Sequence, residues 1–77
     1  ELVRSVFKAG AALPQPQQRA TEEAGYVIKG TLELEIGGTW FRLEPGDSFR
    51  FAGEAHRWRN PGEVDAVVLW VISPPVY

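Results

Sequence analysis

The segment that most constrains this chain is Glu22–Gly46, reading EEAGYVIKGTLELEIGGTWFRLEPG. Leu32, Leu34 and Ile36 alternate strictly with Glu33 and Glu35, which gives an extended strand one apolar and one charged face. Gly37-Gly38 then supplies a two-residue turn of the primed kind, whose positive φ angles cost glycine little. Tyr26–Lys29 before Gly30 and Thr39–Leu43 before the Pro45-Gly46 turn complete three consecutive antiparallel strands. A β-meander in the middle of a short chain dictates how everything on either side must pack.

The flanking segments have the same character. Leu2–Ala9 reads as a first strand, and Gly10–Ala20, with Pro14, Pro16 and a Gln-rich middle, as an extended segment crossing the surface or covering a barrel mouth. Asp47–Phe51 places Phe49 and Phe51 on one face, and His56–Asn60 places His56 and Trp58 on one face with Arg57 and Arg59 on the other. Asn60-Pro61-Gly62 marks a turn. Val64–Ile72 is apolar on both faces beyond Asp65, which predicts a strand buried on both sides or covered by a partner, and Ser73-Pro74-Pro75 should end regular structure. No helical periodicity and no internal repeat occur, so six to eight short strands predict an all-β sandwich, jelly roll or small barrel.

Length matters because 77 residues make a single small domain that buries only roughly 60 % of its unfolded surface. The chain has no Cys, so neither disulfides nor thiolate metal sites can reinforce that core, and self-association is the expected alternative. A net charge of -2, with Arg scattered among Glu and Asp, offers no polyanion-binding surface. No segment is long and apolar enough to span a bilayer and no signal-like stretch opens the chain, so a cytoplasmic location without membrane partners is expected. The sequence begins at Glu1 and contains no Met, which leads us to expect residues 1–77 to be one domain of a longer chain.

At this point the residues resemble a known family, the cupins, in their short single-domain form. The family's motifs run G-x5-H-x-H-x3–4-E-x6-G and G-x5-P-x-G-x2-H-x3-N. Glu23 and Gly30 match the end of the first; Gly46, Gly53, His56 and Asn60 match the second, with one residue fewer before the histidine and no proline there. The phrases YVIKG, LEPGDSF and HRWRNPG are also similar to the family's wording. The resemblance implies a cupin-like double-stranded β-helix, that is, a jelly-roll barrel. In cupins that bind a metal, two His of the first motif, its Glu and the His of the second are the ligands. Counting back from Glu23, the two His positions fall on Gln17 and Arg19, or with the longer spacer on Pro16 and Gln18.

A catalytic divalent site needs three or more converging imidazole or carboxylate ligands, and only Glu23 and His56 remain as residual candidates. Arg19 carries a fixed positive charge and has no lone pair to offer. We therefore expect no cofactor, and in place of a metal an organic anion or amphipathic metabolite bound by Gln17, Arg19, Glu23, His56 and Trp58. Arg19 would act as counter-ion and Trp58 as a flat apolar wall. Each residue also has a plainer reading. Arg19 could be solvated or paired with Glu23 at the surface, His56 a hydrogen-bonded barrel residue, Asn60 a turn former, Trp40, Phe41, Phe49, Phe51 and Trp70 core or interface, and Arg57 and Arg59 a solvated face. No nucleophilic triad, carboxylate pair or phosphate-binding glycine pattern is supported.

Three functions are compatible with this. Short cupins ending like LWVISPP resemble the C-terminal effector domains of bacterial helix-turn-helix transcriptional regulators, which implies a ligand-sensing homodimer whose DNA contacts lie in another segment. The Val64–Ile72 strand and the first strand are the candidate partner contacts. The second is a small cupin enzyme, isomerase or dioxygenase-like, with an atypical metal site around Glu23 and His56. The third is a structural dimer with no ligand.

Overall fold

A computed structural model describes residues 1–73 and contains seven strands and no helix among them. They are β1 (Leu2–Phe7), β2 (Glu22–Lys29), β3 (Leu32–Ile36), β4 (Thr39–Leu43), β5 (Ser48–Ala52), β6 (His56–Arg59) and β7 (Ala66–Ser73). They form two antiparallel sheets, one ordered β1-β7-β2-β5 and the other β4-β3-β6. This is the expected all-β jelly roll. No helix is long and apolar enough to cross a membrane.

The meander is formed as its turn chemistry requires. Gly37 and Gly38 have φ of 56° and 87°, the paired positive angles of a primed turn, so Leu32 to Ile36 face Leu43 to Thr39 in register. Gly30, at φ 76°, joins β2 to β3 where the chain passes close to β7. A Cβ there would lie 2.6 Å from the Asp65 carbonyl oxygen. The core is the set of side chains that alternation turns inward: Val27, Leu32, Leu34, Ala66 and Val68 are fully buried, with Phe7, Phe51 and Trp70 around them.

The Pro/Gln-rich segment does more than cross the surface. It runs beside β6 as an interrupted extra strand, with isolated bridges at Ala12–Arg59 and Gln17–His56. Leu13 N–H donates to the Trp58 carbonyl at 2.9 Å, and Gln17 N–H to the His56 carbonyl at 2.7 Å. Pro14 and Pro16 lie between these points, and with no N–H to donate they break the ladder into bridges.

Two expectations need correction. Arg57 and Arg59 are not merely a solvated face: Arg57 Nε donates to Glu35 at 2.9 Å and Arg59 Nε to Glu33 at 2.5 Å. Both guanidiniums also lie over the Trp40 ring, at 5.3 and 4.0 Å from its centre. Register is the reason, because Glu33 pairs with Arg59, and Glu35 with both Arg57 and Trp40. Trp40 therefore sits on the outside of the smaller sheet, not in the core. Phe41, like Trp40 expected in the core or at an interface, is half exposed and lies beside Leu34, Leu43 and Phe49. β7 is central in its sheet. Ala66 and Val68 are buried, but Val71 on its outer side is exposed, so that face is uncovered in the single chain. The expected end of structure at Pro74-Pro75 lies outside the described residues.

Candidate ligand-binding site

The five residues singled out from the sequence converge. Gln17, Arg19, Glu23, His56 and Trp58 all line one cavity of about 180 Å³ between the two sheets. The backbone explains how a loop and two strands come together. Gln17 and His56 exchange both N–H···O bonds, at 2.7 and 2.8 Å, so the loop is laid against β6 at the histidine. Arg19 follows two positions later, and Glu23 enters from β2 opposite Phe51 and Ile72.

Glu23 is fully buried, so its contact with Arg19 is no surface pair, contrary to the plainer reading. Its Oε1 accepts from Trp70 Nε1 at 2.8 Å and its Oε2 from the Thr21 hydroxyl at 3.0 Å. Arg19 Nη2 stands 3.9 Å from Oε1, and the Arg19 side chain is half exposed at the cavity's rim. A buried carboxylate survives when its lone pairs meet donors and a cation is close, and Glu23 has both. His56 is buried, its ring 4.6 Å from that of Phe51. Its Nδ1 is enclosed without a hydrogen-bond partner. Asn60, expected to be structural, is buried. Its Nδ2 donates to the Phe7 and Val64 carbonyls and its Oδ1 accepts from Gly62 N–H, tying the end of β1 to the turn after β6.

Sequence reasoning missed the β1 and β7 contributions to the cavity. Val3, Ser5 and Phe7 alternate along β1, and Trp70 and Ile72 along β7, all on the cavity side. Phe7 meets Trp58 edge-on at 4.6 Å and Trp70 at 5.9 Å.

The residues do not fit the divalent metal that the motif resemblance brings to mind. Both Glu23 oxygens are already bonded, a guanidinium stands beside them, and no group of three or more His, Cys, Asp or Glu able to hold a metal ion occurs among the described residues. What the arrangement offers is a half-open cavity with Phe7, Trp58 and Trp70 on its walls and the half-exposed Arg19 guanidinium at its rim.

Residues 3–72 match the sequence profile of the cupin domain. This chain is a cupin. Among solved structures, the cupin domain of an XRE-family transcriptional regulator from Enterobacter cloacae superposes with a TM-score of 0.79 at 32% identity, over 92% of this chain and 77% of that one. KdgF from Halomonas sp. gives a TM-score of 0.74 at 30% identity, over 97% and 66%. Polyketide synthase CurC from Streptomyces cyaneus is similar as well, 27% identical over 71 residues. The chain spans 91% of itself in that match and about half of the relative, 46%.

Proposed function

We propose that this cupin is the effector-binding domain of a bacterial transcriptional regulator, holding a small organic anion in the cavity without a catalytic metal. The observation that carries this reading is the replacement of a ligand set by a capped carboxylate: Glu23 is spent on Trp70 and Thr21, and Arg19 stands at the rim. The likeness to the cupin domain of an XRE-family regulator supports the regulatory half of it. DNA contact belongs, in this reading, to a separate helix-turn-helix segment. Ligand binding biases the pair of cupins between two arrangements, which requires different affinity for each.

The pair is formed by a second copy meeting the outer face of the larger sheet. Pairing puts Leu2, Val71 and Ala24 in one row, and Arg4, Leu69 and Tyr26 in the next. Leu2, Val6, Tyr26 and Val71 are exposed there. Arg50 and Glu22 at its margin lie 3.8 Å apart and pair within one chain. A small domain with a limited core gains most from covering such a face.

The direct test is binding. Arg19→Ala should abolish affinity for anionic ligands with the fold intact, as followed by titration calorimetry; unchanged affinity removes Arg19 from the site. A second reading, a small enzyme, has the likeness to the Streptomyces polyketide synthase in its favour. Mass spectrometry of the purified domain separates the two, since a stoichiometric transition metal would bring the enzyme forward.

A further inference from the structure

The cavity's size, walls and charge order narrow the ligand further; this rests on the anion-binding reading above. We propose that it takes a molecule with one aromatic ring bearing a carboxylate, entering ring first. Size sets the first limit. The space is about 180 Å³, and benzene is held by a protein cavity of about 150 Å³, so one ring fits inside, and the second ring of a fused pair would compete with the carboxylate for the mouth.

The walls set the second limit. Phe7, Trp58 and Trp70 contribute three aromatic rings, with Val3 and Ile72 beside them. Flat rings bind flat rings in offset or edge-on contacts better than they bind puckered or linear chains.

Charge fixes the direction. Glu23 is buried with both oxygens already accepting hydrogen bonds, from Trp70 and Thr21, so it offers an incoming carboxylate no donor in the interior. Arg19 is half exposed and approaches Glu23 only at 3.9 Å, outside hydrogen-bond distance, which leaves its planar fork of donors for a ligand. The carboxylate therefore stops at the rim and the ring goes inward. A buried carboxylate among aromatic rings would ordinarily invite a cation. Here its oxygens are already taken by Trp70 and Thr21 and its charge is offset by Arg19.

Calorimetric titration of the purified domain with benzoate, cyclohexanecarboxylate, hexanoate, 2-naphthoate and benzylamine tests this. Benzoate should bind best, and Arg19→Ala should abolish its binding, the loss of a charge-assisted pair. Ser5→Leu, which fills the cavity from β1, should abolish benzoate binding while the far-ultraviolet dichroism stays that of the wild type. Tighter binding of benzylamine, naphthoate or an aliphatic acid overturns the proposal, as does benzoate binding that ignores both substitutions. If hexanoate binds in an Arg19-dependent way and benzoate does not, the ring is wrong and the anion reading survives. If no anion binds, both fall.

Discussion

Trp70 and Glu23 hold one another inside the barrel, and neither is comfortable alone. Trp70→Phe keeps most of the ring and removes the Nε1 donor at 2.8 Å from a buried carboxylate. Unfolding in urea should show a loss of roughly 1–3 kcal/mol, the cost of a buried acceptor left short of a partner; an unchanged midpoint would mean that Glu23 finds another donor. His56 should behave oppositely. Its Nδ1 is buried and unpaired, so His56→Leu should leave stability within about 1 kcal/mol of wild type or raise it. A loss well beyond that would show the imidazole to be structural. Part of the cavity lining was legible at this scale, because the resemblance to the cupin motifs pointed to Gln17 and Arg19 with the shorter spacer before Glu23, and to His56 after Gly53. Burial of Glu23 was not legible. It depends on Trp70, far away in sequence, delivering a donor to the same spot.

At the scale of elements, the meander could be read directly because its information is local: alternation gives the faces and Gly37-Gly38 gives the register. Thr39–Leu43 and Leu32–Ile36 fall where the pattern puts them. The Pro/Gln segment was read as a loop because proline hides pairing; only tertiary hydrogen bonds to β6 reveal the strand-like course. The Arg57–Trp40–Arg59 stack was missed for the same reason, since it needs β4 and β6 on either side of β3. The link between the end of β1 and the start of β7 yields a pH prediction. Asp65 accepts from Ala9 N–H at 3.0 Å and from the Lys8 ammonium at 3.3 Å, and these hold its carboxyl below the usual carboxylate range, the backbone bond being the larger cause. The folded state then takes up the proton less readily than the unfolded one. This contribution is present above the unfolded carboxyl's pKa and drains away as pH falls through the folded value. Asp65→Asn should flatten the acid side of the stability curve below about pH 4. A curve as steep as wild type's would assign the acid sensitivity elsewhere. The effect is modest because Asp65 remains partly exposed.

At the scale of the molecule, the outer face of the larger sheet makes a prediction about assembly. Val71→Asp places a charge in the middle of an exposed apolar row. Light scattering after gel filtration should find the wild type as a dimer and this variant as a monomer with unchanged dichroism. A wild type that is already monomeric would discard this face as the contact. The sequence pointed to β1 and β7 for this role, and the sheet order adds β2 by inserting it beside β7. That order places strands far apart in the chain next to each other, which no local pattern states.

The pairing of β1 with β7 has a mechanical consequence. Leu2 lies opposite Val71, and Ile72 N–H donates to the Glu1 carbonyl at 2.8 Å, so residue 1 and residue 73 sit at one corner of the same sheet. β1 is also an edge strand and supplies Val3, Ser5 and Phe7 to the cavity wall. Tension applied through residue 1 would travel along a strand with one neighbour and arrive at the cavity wall within three residues.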